Sequence, residues 1–428
     1  MLKSKVLAIG AGGNGAGIEL LKSQVIQKDS ILLVNSTSKD IPAEYEDISA
    51  VYSRAYGGAA KERSAAKELC LDALRNDKDF VSKVDSFISP DTEKLFILTT
   101  TSGGTGSGST TILAKYFASV IRRAVPKLKI TIFAITGFET DIRELQNTLE
   151  FFQEIDPEFT VQAISNKKFK DEGLTMSQAE IAADKEIAKK VAIQMGLHIN
   201  YVDSRHNIDE SDLYKLSSTP GFMVTFRVEI GKLKNVEHFN KLVTEAIEND
   251  KSLDIPRQSI SRLGVITNIS EKNEEFIDYQ FPSLRAKLGN YYELFIHDNK
   301  YDEGAEYVEF IASGLEMPID ELKDVYEKYR EETQNVVKEK DGFFDFMKGL
   351  SADAKDNMFD SGVNLKTSDE EISNDLGKDD FFSNFMVDSK PQAKDKEVSN
   401  PVITIKNQPM SKDLKTAEIK NKKARDQF

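Results

Sequence analysis

The sequence has one cysteine, Cys70, in 428 residues. That excludes an internal disulfide and any cysteine-built zinc cluster, and it suits a reducing compartment. Four histidines, His198, His206, His238 and His297, include no i, i+4 pair, so a zincin-type helix is absent. No run approaches about 20 apolar residues, the length that crosses a bilayer. Met1–Lys5 lead straight into an apolar strand without a signal-peptide core. Positive charge is also short, with 57 Lys and Arg against 71 Asp and Glu and a net charge of −14. This argues against a nucleic-acid-binding surface over the whole molecule. Together the absences predict a cytoplasmic α/β protein with no membrane insertion.

What is present is a set of short, continuous apolar runs alternating with helical patterns. Val6–Ile9, Ile31–Val34, Leu95–Leu98 and Ile130–Ile135 read as strands of a parallel sheet covered on both faces. Ligands of such sheets bind at the carboxyl ends of the strands. A long, partly buried helix is expected over 177–200, carrying Ile181, Ile187, Val191 and Met195 at helical spacing. Strand patterns at 222–230, 260–269 and 291–297, with a helix at 235–249, predict a smaller α+β domain over 201–317. The first domain is then 1–176, and Pro318 opens an amphipathic helix over 318–340. Residues 341–400 hold 14 acidic and 7 basic side chains with no sustained periodicity, so 341–428 is expected to be a disordered tail. Within it, Phe343-Phe344-Asp345-Phe346-Met347 is echoed by Phe381-Phe382-Ser383-Asn384-Phe385-Met386, a spacing that suits a partner groove or chance clustering equally.

Two glycine-rich segments carry the chemistry. Gly10-Ala11-Gly12-Gly13-Asn14-Gly15-Ala16-Gly17 follows a strand and precedes a helix. Backbone without Cβ atoms can approach phosphate oxygens there, and a helix N-terminus adds N–H donors. A nicotinamide-dependent oxidoreductase fits this segment by pattern. It also requires a ribose-binding acid at the end of the second strand, where the sequence offers Asn35-Ser36-Thr37-Ser38. The second segment, Thr99 to Thr110, interleaves glycine with small hydroxyls and makes a nest of N–H groups. A flexible linker would not sit between two strongly structured flanks. No Gly-x-x-x-x-Gly-Lys-[Ser/Thr] occurs, which excludes an ordinary P-loop.

Ser102-Gly103-Gly104-Thr105-Gly106-Ser107-Gly108 resembles the Gly-Gly-Gly-Thr-Gly-[Thr/Ser]-Gly signature of the tubulin/FtsZ superfamily, with Ser102 in place of the first glycine. Asn207-Ile208-Asp209-Glu210-Ser211-Asp212 is similar to the Asn-x-Asp-x-x-Asp synergy loop of its FtsZ branch. Ser217–Gly221 and the helix after Pro318 look most like the TubZ branch of plasmids and phages. Lys61-Glu62 departs from the family, which often has a proline there.

The resemblance implies a polymerising GTPase that uses GTP/GDP and Mg²⁺ and assembles head to tail. Its nucleotide contacts would be Gly12, Gly13, Asn14, Asn35, Gly57, Gly58, Ser102, Gly103, Gly104, Thr105, Gly106 and Ser107. Glu139 and Arg143 would flank the ribose, Asn166 would meet the sugar or the base, and Asp184 would meet the guanine. Asn207, Asp209 and Asp212 would act on the nucleotide of the next subunit, with no metal ligand assigned to the chain itself. The simpler reading makes Asp212 the cap of a helix over 213–218. A GTP-switched scaffold without hydrolysis is the alternative function. The last 28 residues, with 7 Lys or Arg against 3 acids, suit DNA or a DNA-binding adaptor. The resemblance therefore also implies segregation or positioning of plasmid or phage DNA. Pro401–Lys406 faintly resembles the tail peptide of FtsZ.

Overall fold

The computed structural model describes residues 2–53, 58–200, 206–254, 257–301 and 303–353, with side chains as far as 336. The first half alternates strand and helix. Its elements are β1 (Ser4–Ile9), α1 (Gly10–Lys22), β2 (Ile31–Asn35), β3 (Ser49–Val51), α2 (Arg63–Asn76), α3 (Lys78–Phe87), β4 (Lys94–Thr100), α4 (Gly104–Ser119), β5 (Lys129–Thr136), α5 (Ile142–Glu154) and β6 (Thr160–Ser165). After α6 (Asn166–Asp171) and α7 (Met176–Met195) come α8 (Glu210–Ser217), β7 (Gly221–Ile230), α9 (Val236–Asn249), β8 (Ile260–Asn268), α10 (Glu271–Glu274), α11 (Pro282–Lys287), β9 (Tyr291–Asp298), β10 (Glu306–Leu315) and α12 (Ile319–Asp353).

The strands form one ten-stranded sheet in the order β3-β2-β1-β4-β5-β6-β7-β10-β8-β9. From β3 to β6 every pairing is parallel. Such strands need cover on both faces, and the side chains of Val6–Ile9 and Leu95–Leu98 are all buried. One face packs under α2 to α5, the other under α1, α6 and α7. The second α+β region extends the same sheet, because β7 pairs parallel to β6 at Thr160↔Gly221 and Val161↔Phe222. Beyond that point β10 runs antiparallel to both β7 and β8, and β9 runs parallel to β8.

Several boundaries differ from the sequence pattern. The central helix stops at Met195, where Gly196 takes the left-handed conformation at φ 71° and caps it. The helices α2 and α3 and the strand β10 lie where the pattern marks none. The last helix runs to Asp353, thirteen residues into the stretch read as tail. The two glycines in that extension, Gly342 and Gly349, each cost a helix only about 1 kcal/mol. Residues 2–329 form one compact unit, and the described residues from Arg330 onward belong to a second. The contacts below lie within the first. Gly57, the Phe381–Met386 cluster and the basic terminal segment fall outside the described residues.

Candidate functional site

The first glycine segment is a helix start throughout, whereas the second bends over 101–103 before its helix begins. The first eight residues of α1 are Gly10–Gly17, and α4 begins at Gly104 with Gly103 as its N-cap. Neither N-cap has a side-chain hydrogen bond, so the first-turn N–H groups of both helices are left for another acceptor. The two starts touch. A Cβ on Gly10, whose φ is +75°, would lie 2.8 Å from the Gly106 amide nitrogen. Between them, at the carboxyl ends of β1, β2 and β4, lies an open cleft of about 310 Å³. Ala11, Gly12, Asn35, Ser36, Gly58, Lys61 and Gly103–Gly106 line it. The Ser36 and Thr105 hydroxyls hydrogen-bond across it at 2.8 Å.

The nominated phosphate-loop residues divide. Gly12, Asn35, Gly58, Gly103, Gly104, Thr105 and Gly106 face the cleft. Gly13 packs on β4, where an added Cβ would lie 2.4 Å from the Leu98 carbonyl oxygen. Ser107 turns inward, accepting from Arg63 Nε at 2.9 Å and donating to the Asn147 carbonyl at 3.2 Å. Ser102 gives its carbonyl to Asn147 Nδ2 at 2.9 Å. The same amide donates to the Lys61 carbonyl at 3.0 Å, so Asn147 joins the 58–62 loop to the second helix start. Its role is one the sequence pattern does not signal.

None of the nominated sugar and base residues is among those lining the cleft. Glu139 follows β5 in the left-handed conformation, at φ 57°. Lys328 of α12 donates to its carbonyl at 2.7 Å and its carboxylate at 3.2 Å. Arg143 pairs with Glu62 at 3.0 Å, both side chains being exposed. Asp184, on α7, lies against α1, where a Cβ on Gly15 would come 2.9 Å from its Oδ2. Burial, reinforced by Glu180 and Glu19, pushes the Asp184 carboxyl up to about 7. Asn14 and Asn166 are buried. Both side-chain polar atoms of Asn14, and Oδ1 of Asn166, find no partner among the described residues. Orphaned amides cost free energy unless another group satisfies them. A sugar or base supplies both donors and acceptors, so these residues fit a nucleotide.

The acidic loop lies at the other end of the sheet. Ser217, at the end of α8, accepts from Lys94 Nζ and from Thr131 Oγ1 at 3.0 Å, under the beginnings of β4 and β5. Thr160, the first residue of β6, donates to the Thr219 carbonyl at 2.8 Å. Leu2, just before β1, shares a core with Ile208, Leu213 and Leu216. The length of β4 therefore separates this loop from the cleft, about 20 Å at the strand rise. The helix cap is Asp209 rather than Asp212. Asp209 Oδ1 accepts from the Asp212 amide at 2.8 Å, and Asp212 Oδ2 faces the Asp209 amide at 3.5 Å, a capping box. The Ile208 amide donates to His297 Nδ1 at 3.2 Å. Asn207 and Asp209 are exposed.

A TubZ structure from Clostridium botulinum phage c-st superimposes with a TM-score of 0.61 at 17% identity, over 78% of this chain and 99% of that one. The GTPγS-bound CetZ2 protofilament of Haloferax volcanii does so with 0.61 at 16% identity, over 78% of this chain and 99% of that one. The chain has the tubulin/FtsZ fold. Among curated proteins, the mitochondrial division protein fszB of Dictyostelium discoideum is 24% identical over 287 residues, 64% of this chain and 72% of that protein. No protein-family model matches. Within the tubulin/FtsZ fold, the cleft and the acidic loop occupy opposite ends of the parallel sheet.

Proposed function

We propose that this protein is a polymerising GTPase whose hydrolytic site is completed only when two copies stack head to tail. The separation of the cleft from the Asp209–Asp212 loop by the length of the sheet carries this reading. One chain cannot bring its own carboxylates to its own cleft. A second copy stacked end to end can, and a heterologous contact of this kind repeats into a filament. The CetZ2 neighbour supports the assembly, since it was solved as a protofilament with GTPγS.

The N–H groups at the starts of α1 and α4 hold the phosphates and stabilise developing negative charge. Asn14 and Asn166 bind sugar or base, and the Asp184 carboxylate accepts from guanine N1–H and N2–H₂. The capping box fixes Asp209 and Asp212 on one helical turn, where they orient the attacking water of the neighbour's site. No group of three or more metal-ligating side chains occurs among the described residues. Mg²⁺ would arrive on the phosphates, where it neutralises their charge. The basic segment at 401–428 supports a role in positioning plasmid or phage DNA, directly or through an acidic adaptor.

GTP turnover per molecule, measured over a range of protein concentrations with pelleting alongside, tests the reading. Turnover and pelleting should share one threshold concentration. Asp212→Asn, which keeps the capping box and removes the charge, should pellet without turnover. Turnover per molecule that is flat with concentration overturns catalysis at the junction. In the same assay, deletion of 401–428 should spare pelleting and abolish co-sedimentation of DNA or adaptor; lost pelleting would refute the cargo role.

A further inference from the structure

The end of β9 grips the chain before and within the acidic loop. The Asn200 amide donates to Asn299 Oδ1 at 2.7 Å, and the Asp298 amide donates to the His206 carbonyl at 3.2 Å. His206 Nδ1 meets Asp298 Oδ2 at 2.7 Å. The strand is itself fixed by β8, with Ile266 opposite His297 and Thr267 opposite Asp298. Between these contacts sits the imidazole of His297, fully buried.

Both of its ring nitrogens meet backbone. Nδ1 lies 3.2 Å from the Ile208 amide nitrogen, and Nε2 lies 3.2 Å from the Asn200 carbonyl oxygen. A backbone amide can only donate and a carbonyl can only accept, so the two partners settle the tautomer. The ring is neutral, with its proton on Nε2 and its lone pair on Nδ1. Burial favours the same state, lowering the pKa below 6.5. The ring is thus braced on one side of the loop and presents an acceptor to the other.

That acceptor falls at a sensitive place. Ile208 immediately precedes Asp209, the N-cap of α8. Its side chain is buried in the core it shares with Leu213 and Leu216, and its amide is held by the imidazole. The capping box sets Asp209 and Asp212 relative to each other. The two anchors of Ile208 set where the chain enters that box. His297 lies 89 residues further along the sequence, so no local pattern calls for a histidine there.

We propose that His297 is a positioning residue for hydrolysis: its neutral imidazole, braced on the Asn200 carbonyl, holds the Ile208 amide and so aims Asp209 and Asp212 at the nucleotide of the next subunit. This rests on the reading of the acidic loop given above. Being buried, His297 touches no nucleotide itself. It lies with the acidic loop, away from the cleft of its own chain, so its loss should act on turnover and not on binding.

The test compares GTP turnover per polymerised subunit at saturating GTP with the dissociation constant of GTPγS, both on the full-length protein. His297→Leu removes both ring bonds without adding charge. Its turnover should fall at least about tenfold, since misplacing a catalytic group by about 1 Å can cost about a hundredfold. GTPγS affinity and GTPγS-driven pelleting should stay at wild-type values. His297→Asn puts a carbonyl oxygen close to the place of Nδ1, keeps an acceptor for the Ile208 amide, and should recover most of the turnover. A smaller fall in His297→Leu overturns the assignment, as does a His297→Asn protein no more active than the leucine variant. Weakened GTPγS binding or pelleting in His297→Leu also overturns it, by making His297 a support of the fold as a whole. Wild-type turnover that is flat with protein concentration overturns instead the reading on which the assignment rests.

Discussion

At the residue scale, the glycines of the two segments serve packing as much as the cleft they gather around. The pattern explains each glycine by the close approach of a phosphate. In the structure most of them are small because other protein backbone lies against them. A Cβ on Gly106 would meet the Thr100 carbonyl at 2.9 Å, and one on Gly104 the Lys61–Glu62 backbone. Only long-range packing shows this, so the sequence could not. Gly103 is different: it lines the cleft, and its Cβ would meet only Thr100 Oγ1 at 3.5 Å. Asp184 carries the residue-scale prediction. Its carboxyl, pushed up to about 7 by burial, must be ionised to accept from guanine. Affinity for GDP should therefore rise as pH goes from 6 to 8, by up to tenfold per unit below 7, and level off above it. Titrations of Asp184→Asn over the same range should show no slope; a slope that survives the substitution removes Asp184 from the base site. Because this pKa lies above the ordinary 3.8, the carboxyl's contribution to stability is lost as pH rises toward 7, and the asparagine should relieve that loss.

At the element scale, strands with uniform apolar runs were legible and those with buried charge were not. Val6–Ile9 and Leu95–Leu98 announce themselves because both faces are covered. The strand β10 does not, since Glu309 sits fully buried in its middle. Its carboxylate accepts from Arg227 Nε at 2.8 Å and meets His198 Nδ1 at 2.8 Å, partners from distant parts of the chain. Lys94 is a second buried charge, at the start of a strand that was legible: it opens β4 and is fully buried beneath the end of α8. Its amine donates to the Ser217 carbonyl, and burial, with Lys129 adding, lowers its pKa well below 10.5. The folded state thus binds the proton more weakly than the unfolded chain, and stability gains as pH rises toward 10.5. Lys94→Met should remove that gain. It should cost within about 1 kcal/mol at neutral pH, because Thr131 still satisfies the Ser217 carbonyl. Denaturant midpoints of both proteins at pH 7 and 9.5 check this. An equal alkaline gain in both would mean Lys94 is not its source.

At the scale of the whole molecule, the sequence shows two motifs about 100 residues apart but not which ends of the sheet they occupy. That arrangement depends on α8 returning beneath the starts of β4, β5 and β6, through contacts from Lys94, Thr131 and Thr160 that no local pattern encodes. Opposite placement allows a test that a self-contained enzyme would fail. Gly103→Val has room in the fold and intrudes into the cleft, so it should block nucleotide while leaving the acidic loop intact. Asp212→Asn leaves the cleft intact and disables the loop. Each alone should be inactive. Mixed in equal amounts, an Asp212→Asn cleft can be covered by the intact loop of a Gly103→Val copy, and turnover should return. The ceiling is about a quarter of the wild-type rate, the share of random head-to-tail junctions that join an intact cleft to an intact loop. Recovery should appear only above the concentration at which the copies associate. If each cleft worked with its own loop, neither variant would hold a working pair and no mixing ratio would restore activity. A mixture that stays silent while its two components demonstrably co-pellet would place the catalytic groups within one subunit.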